Sequence, residues 1–338
     1  DGIDLTVGAM SAEQIFANYA RPLGIGGIAM AGIIGILKSS GIIGRAVKLA
    51  ANELGNKRDL NGPTLRTEQD LSMKFVLIGI IAALITTFVF FQFGVIHNIS
   101  QTFIALLIVF VIAFLFTTVA ANAIAIVGSN PVSGMTLMTL ILTSVILVSV
   151  GIQGERGMMA AMIIGGVVCT ALSMAGGFIT DLKIGYWLGT TPQKQEKWKF
   201  LGTFVSALTV AGVMIILSQT YGFEGEGALV APQANAMAAV IKPLMSGQGA
   251  PWILYAIGAV IALVLDRCKV PALAFALGMF IPLELNIPLL VGGAINWYVT
   301  SRSKEETINK ARGEKGTLIA SGFIAGGALM GVISALLK

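Results

Sequence analysis

The chain reads Gly128-Ser-Asn-Pro-Val-Ser-Gly-Met135 between two long apolar runs, at residues 101–127 and 136–150. Both runs have the length and composition of membrane-spanning helices. The stretch between them carries no charge, although a surface loop beside a membrane helix usually does. Pro131 removes a backbone donor, and the two glycines permit conformations that other residues resist. In lipid, such backbone must be covered by protein or must face a water-filled cavity.

This interruption has two interpretations. It is either a tight turn at the membrane interface or part of a substrate pathway, because transporters place their binding sites at interrupted helices. In the second interpretation, Asn130, Pro131, Ser133 and Gly134 supply polar contacts and unwound backbone. The residues alone leave both interpretations open.

The composition indicates a membrane protein. Of the 338 residues, 56% are hydrophobic and 12% are charged, whereas soluble domains carry about 25% charged residues. We therefore predict an all-α fold, a polytopic transmembrane helical bundle with re-entrant or broken helices. The net charge of +5 comes from loops beside the spans, so it indicates membrane orientation rather than nucleic-acid binding.

The hydropathy pattern divides the chain into spans and loops. A short interfacial helix is predicted to begin at Ser11 and to end at Arg21–Pro22. Residues 38–72 form a cytoplasmic amphipathic loop, since their charge is net positive, and a surface helix is predicted within it at residues 44–54. Spans are predicted at residues 23–37, 73–96, 102–127, 135–150, 158–179, 200–218, 252–265 and 317–337.

Two apolar segments are interrupted. Residues 228–247 are too polar for an ordinary span, and residues 270–299 are broken at residues 282–284 and at residues 286–288. The basic residues that follow each segment fall on the cytoplasmic side only if the first segment is re-entrant and the second turns back as a hairpin. We predict both features. The polar and helix-breaking residues of the first segment are Pro232, Gln233, Asn235, Lys242 and Pro243.

Charged side chains within apolar stretches are rare and mark candidate functional positions. Glu284 lies in the broken segment, where it is either a proton acceptor or a solvated carboxylate at the far interface. Lys242 either meets a substrate carboxylate or extends to the interface. Asp181 and Lys183 follow a span closely and are expected to pair with each other or with helix ends.

The sequence gives no support for enzymatic or metal chemistry. It has one His and no HExxH, GxSxG or nucleotide-binding glycine motif. Cys169 and Cys268 belong to no metal-binding or redox motif. We therefore expect no enzymatic activity, no cofactor and no metal ligands. The alternative to a transporter is a passive channel for small polar solutes, because Asn130–Pro131 and Asn286–Ile287–Pro288 loosely resemble the paired Asn–Pro turns of water channels.

Four segments resemble, in order, the oligopeptide transporter (OPT) superfamily, which includes the yellow stripe-like metal-chelate transporters. In the second segment, which the resemblance makes a loop, Asp181, Lys183, Gly185, Gly189, Pro192 and Gln195 match the family pattern. The segments are Gly128-Ser-Asn-Pro-Val-Ser-Gly-Met135, Asp181-Leu-Lys-Ile-Gly-Tyr-Trp-Leu-Gly-Thr-Thr-Pro-Gln-Lys-Gln195, Ala231-Pro-Gln-Ala-Asn-Ala236 and Ala276-Leu-Gly-Met-Phe-Ile-Pro282.

The resemblance implies a proton-coupled symporter of small oligopeptides or metal chelates that works by alternating access. It makes residues 1–338 one transmembrane transporter domain, the C-terminal part of a longer prokaryotic chain in the bacterial inner membrane. The implied partners are a small-molecule substrate, protons and the lipid bilayer, with a homo-oligomer left open. The implied residues are Asn130, Pro131, Ser133, Gly134, Gln233 and Asn235 for the substrate pathway, Glu284 for proton coupling, and Asp181, Lys183, Gly185 and Pro192 as a structural motif.

Overall fold

The computed structural model describes residues 10–38, 40–55, 65–127, 132–223, 232–246 and 251–337. Within these ranges the chain is helical apart from short connections, and no strand occurs. Six helices are long and apolar enough to cross a membrane. The predicted all-α, polytopic fold is therefore confirmed. The α-helices are α1 (Ala12–Ile15), α2 (Arg21–Lys38), α3 (Ser40–Gly55), α4 (Met73–Gly94), α5 (Ile99–Val127), α6 (Val132–Ser149), α7 (Gly154–Leu188), α8 (Pro192–Thr220), α9 (Pro232–Met245), α10 (Trp252–Arg267), α11 (Ala272–Phe280), α12 (Leu283–Thr300) and α13 (Glu306–Leu337).

The first helix does not end at Arg21–Pro22, so that prediction is wrong. Ser11 caps α1 through a capping box with Gln14, which confirms the predicted start. A π-helical turn at Phe16–Ala20 then joins α1 to α2 in one helix, Ala12–Lys38. A proline inside a helix removes a hydrogen bond and crowds the preceding turn. The wider π turn, which ends two residues before Pro22, gives the chain room to continue as a helix.

Several helices extend beyond the predicted spans. The helix α7 continues to Leu188, α8 begins at Pro192, and α13 begins at Glu306, although hydropathy placed the corresponding limits at residues 179, 200 and 317. Hydropathy reports contact with lipid, whereas a helix needs only its own backbone hydrogen bonds. Hydropathy therefore omits the charged ends of these helices. The predicted surface helix at residues 44–54 lies within α3.

The described residues form two compact units. Unit 1 contains α1 to α7, the start of α8 up to Lys199, α9 from Ala234, α10 and α11. Unit 2 contains the rest of α8, α12 and α13. The interpretation of residues 1–338 as one transporter domain stays a prediction.

Unit 1 is built around α2, which packs against α6, α10 and α11, while α7 packs against α5 and α6. The backbones of α2 and α10 touch. A Cβ atom on Gly26 would lie 2.0 Å from the carbonyl oxygen of Tyr255, and one on Gly258 would lie 2.0 Å from that of Leu23. Only glycine fits at these two positions. Close backbone approach of this kind is how helices associate in membranes, where burial of apolar surface gives no driving force.

The contacts of α2 fix the directions of its neighbours. Gly26 meets Tyr255 near the start of α10, and Lys38 meets Asp266 near its end, so α2 and α10 are parallel. Gly24 meets Phe280 and Gly27 meets Ala276, so α11 is antiparallel to α2. Of the two predicted interruptions, the one at residues 286–288 is wrong, since α12 continues through Pro288. The one at residues 282–284 is present, because Pro282 separates α11 from α12. The hairpin itself stays a prediction, because the chain passes from unit 1 to unit 2 at this point.

Large apolar side chains cover the outside of several helices. Phe93 on α4 is 75% exposed, Leu290 on α12 is 76% exposed, and Phe323 on α13 is 80% exposed. Lipid rather than water suits such surfaces, since soluble proteins rarely expose large contiguous apolar patches. The exposed side chains therefore agree with the membrane class that the composition predicts.

Candidate functional site

The predicted pathway residues lie at helix starts or outside the described residues. Asn130 and Pro131 are outside the described ranges, and Ser133 and Gly134 belong to the first turn of α6. Gln233 and Asn235 occupy the first turn of α9, and Glu284 is the second residue of α12. The backbone positions agree with a pathway built from helix ends. The roles of these residues stay predictions.

A small cavity lies beside the start of α6. Its volume is about 70 Å³, and its lining is apolar. A water molecule takes about 30 Å³ in the liquid, so a peptide does not fit. The space does leave the flexible side chains of Met135 and Met138 room to rearrange. The lining residues come from α2, α5, α6 and α11 and include Gly32, Gly35, Phe116, Met135, Met138 and Leu273.

The helix α9 is shorter than a membrane is thick. Its 14 residues span about 21 Å, against about 30 Å for the hydrocarbon core. Val240, Ile241 and Met245 are buried, whereas Lys242 is exposed. The end of α9 approaches α7, because a Cβ on Gly157 would lie 3.2 Å from the terminal methyl carbon of Met245. These features support a re-entrant segment at residues 228–247.

The end of α10 gives a second argument for that segment. The Lys38 side chain lies 2.5 Å from the Asp266 carboxylate, so the basic turn after α10 lies at the same end of unit 1 as the start of residues 38–72. The predicted orientation of the chain required Arg267 and Lys269 to lie on the same side of the membrane as residues 38–72. The re-entrant path itself stays a prediction.

The predicted loop at Asp181–Gln195 is mostly helical, so the loop interpretation is wrong. Asp181, Lys183 and Gly185 lie in α7, and Pro192 is the first residue of α8. Only residues 189–191 connect the two helices. Gly189 adopts a left-handed conformation with φ 66°, and the Thr190 N–H donates to the Gly185 carbonyl over 2.8 Å. This is the usual glycine-terminated end of a helix, and proline suits the first position of the next one.

The matched motif residues Asp181, Gly185 and Gln195 hold α7 and α8 together, and we call this set of contacts the clasp. Gln195 on α8 donates from Nε2 to the Asp181 carbonyl over 3.1 Å. Gly185 leaves room for this side chain, since a Cβ there would lie 2.2 Å from the Gln195 Oε1 atom. The Asp181 carboxylate also pairs with Lys199. These contacts favour a structural role for the motif.

Lys183 has a different environment from Asp181. The two residues do not pair with each other. The Lys183 ammonium lies 5.2 Å from the ring centre of Tyr186 and 5.5 Å from that of Trp187, and both rings are more than 70% exposed. Aromatic and basic side chains of this kind gather where a helix leaves the membrane. Lys183 therefore marks the interface end of α7.

Sequence reasoning missed the segment that closes this clasp. Just before α4, Arg66 donates from Nη2 to the Gly189 carbonyl over 2.8 Å. The Gln193 N–H donates to the Gln69 carbonyl over 2.8 Å. These contacts satisfy backbone groups that helix ends leave without partners. They join residues more than 100 positions apart, so no local pattern signals them.

Unit 2 has an open groove between α12 and α13. Its volume is about 790 Å³, and both signs of charge line it. Sequence reasoning treated residues 301–315 as a charged loop and missed this groove. Among the described residues, no group of three or more His, Cys, Asp or Glu is placed to hold a metal ion. The lining includes Asn296, Thr300, Glu306, Asn309, Lys310 and Glu314.

Long apolar helices, some of them interrupted or too short to span, define a polytopic α-helical membrane protein. The chain belongs to the OPT family, because the family model for OPT oligopeptide transporter protein matches residues 3–338. This confirms the resemblance seen in the sequence.

One relative adds detail to this assignment. A Haemophilus influenzae protein named "Putative oligopeptide transporter" is 28% identical over 374 aligned residues, which cover 96% of this chain and 58% of the relative. The chain therefore spans a little over half the length of that relative. No solved structure matches the chain.

Proposed function

We propose that this chain forms part of a secondary active transporter that carries small oligopeptides or metal chelates together with protons. Membership of the OPT family carries the proposal. The transporter works by alternating access, and its substrate, protons and lipid are its partners. It lies in the inner membrane of a bacterium, in line with the Haemophilus origin of the relative. Assembly into a homo-oligomer is part of the same proposal and is tested separately by mass measurement in detergent.

The interrupted helices support a pathway. The described helices α6, α9 and α12 begin close to the predicted pathway residues. The start of a helix carries partial positive charge and free N–H groups, which suit the carboxylates of a peptide or chelate. Transporters use such half-helix ends near the middle of the membrane to hold substrate. A nearly uncharged stretch such as residues 128–134 would add polar contacts without attracting unrelated ions.

Uptake into proteoliposomes tests the proposal. The complete polypeptide is reconstituted, and a tripeptide pool or an iron chelate is supplied with the outside acid, with the outside alkaline, or without a proton gradient. We expect accumulation against a concentration gradient only when the outside is acid. A protonophore should abolish this accumulation. Equilibration that ignores the proton gradient would instead establish the passive channel.

A further inference from the structure

Arg21 is a cation inside a long apolar helix and has no anionic partner among the described residues. It is the tenth residue of the helix Ala12–Lys38 and directly follows the π turn at Phe16–Ala20. Its guanidinium lies 5.0 Å from the ring centre of Phe16. The Nε atom is buried without a hydrogen-bond partner, and within the described part of the chain Arg21 forms no ion pair. A charge in a membrane-spanning helix is costly, so its retention points to function.

Arg21 lies on a buried face of its helix. Ile25, Ile28 and Gly32 follow it at spacings of four, seven and eleven residues, which place all four on one side. Ile25 is 2% exposed and Ile28 is fully buried. Gly32 lies against the Met138 side chain of α6. Arg21 therefore continues this face toward the end of unit 1 rather than pointing freely into lipid.

The neighbouring part of α10 also holds a polar atom without a partner. Tyr255 packs against α2 at Gly26 and is 8% exposed. Its hydroxyl oxygen is buried and has no hydrogen-bond partner among the described residues. Tyr255 lies in the first turn of α10, where free backbone N–H groups and the helix dipole favour an anion. Gly26 lies about 140° around the helix from Arg21, so Tyr255 packs on a different side of α2 and is a separate polar group.

Position along the helix separates this site from the other end of unit 1. Arg21 is 17 residues from Lys38, a distance of about 25 Å along a helix. Because Lys38 begins the predicted cytoplasmic loop, Arg21 lies toward the side from which an imported solute enters. The other candidate cation, Lys242, is exposed and is free to extend into solvent. Arg21 is the better placed of the two to meet a substrate.

We propose that Arg21 binds the free carboxylate of the transported substrate. This inference rests on the proposed transport function and adds the chemical group that is recognised. A guanidinium matches a carboxylate through two parallel hydrogen bonds, which gives both affinity and orientation. A peptide with a free C-terminus or a chelate with carboxylates carries this group, whereas a C-terminally amidated peptide does not.

Equilibrium dialysis of the complete, detergent-purified polypeptide against a tripeptide pool and an iron chelate tests the inference. The pool contains each peptide as the free acid and as the C-terminal amide, and mass spectrometry counts what is retained. We expect the unsubstituted protein to prefer the acids and Arg21→Gln to lower that preference at least about tenfold, which corresponds to ~1.4 kcal/mol. Arg21→Lys should retain part of the preference, because it keeps the charge without the fork geometry.

Arg156→Gln is the matched control, since Arg156 is exposed in the first turn of α7 and should leave the preference unchanged. If folded Arg21→Gln protein retains acids over amides as before, the inference is wrong while transport stands. If Arg21→Gln lowers the retention of acids and amides equally, Arg21 does not recognise the carboxylate and the inference is also wrong. If the unsubstituted protein retains no peptide and no chelate, the proposed function itself fails.

Discussion

The ammonium nitrogen of Lys38 lies 2.5 Å from a carboxylate oxygen of Asp266, which joins the last residue of α2 to the end of α10. The Lys38 side chain is 64% exposed, and exposed ion pairs contribute only about 0–1 kcal/mol to stability. The pair therefore adds little stability, but it shows how the ends of α2 and α10 are arranged. Two helix ends that are more than 200 residues apart lie on one side of unit 1.

Labelling of cysteines in sealed membrane vesicles tests this shared side. Cys268 is a free, exposed thiol directly after α10. We expect a membrane-impermeant maleimide to label Cys268 from the same side as a cysteine introduced by Ser40→Cys. A cysteine introduced by Phe223→Cys, after α8, should react from the opposite side. Labelling of Cys268 and Phe223→Cys from one side would contradict the re-entrant path of residues 228–247.

The contact between α2 and α10 predicts a sharp difference between two glycines of the same helix. Gly26→Ala places a methyl group 2.0 Å from a backbone oxygen that cannot rotate away. Overpacking of this kind costs about 1–3 kcal/mol, so the midpoint of thermal unfolding in detergent should fall. Gly35→Ala is the control, because nothing lies within 4 Å of the added methyl group. Equal effects of the two substitutions would show that the helices do not touch at Gly26.

The clasp between α7 and α8 should show coupled substitutions. Gly185→Ala forces the Gln195 amide to move, and Gln195→Ala removes the donor to the Asp181 carbonyl. We expect each to destabilise the protein and the double substitution to cost less than the sum, because both break the same contact. Thermal unfolding of the four proteins measures this. Gly177→Ala, on the same helix with open space around it, should have little effect, and strict additivity would argue against the clasp.

The motif residues show how far local pattern predicts structure here. Runs of apolar residues located the membrane helices, because this signal acts within a few positions. The family resemblance predicted a loop at Asp181, although this residue lies inside a helix. A polar residue ends contact with lipid without ending the backbone hydrogen bonding of the helix.

Contacts between distant parts of the chain were beyond a single sequence. The sequence showed that the first span is rich in glycine, but not that Gly26 rather than Gly35 meets another helix. It also read Arg21 only as the end of a short helix. Packing between segments that hydropathy treats separately decides which glycine lies against a neighbouring helix. It also decides which cation has no anion beside it. Candidate binding residues in this family of folds therefore need the three-dimensional arrangement to be told apart.

Glu284 provides the sharpest test of proton coupling. It is the second residue of α12, and the start of a helix favours a charged carboxylate. A carboxylate that couples transport must also accept a proton during the cycle, when substrate and proton bind together. Gln resembles the protonated form in shape and keeps an acceptor oxygen. Glu284→Gln should therefore retain peptide binding but lose accumulation driven by an acid exterior, leaving only equilibration across the membrane.

Proteoliposome uptake with and without a proton gradient measures this change, and dialysis of the same protein measures binding. Glu305→Gln is the control, because Glu305 is exposed before α13 and its loss should leave gradient-driven uptake intact. Two results separate the interpretations of Glu284. Loss of accumulation with binding preserved assigns proton coupling to this carboxylate, since the substrate site is then intact. Accumulation that still follows the gradient in Glu284→Gln makes the carboxylate a solvated helix start, and the coupling group then lies elsewhere in the complete polypeptide.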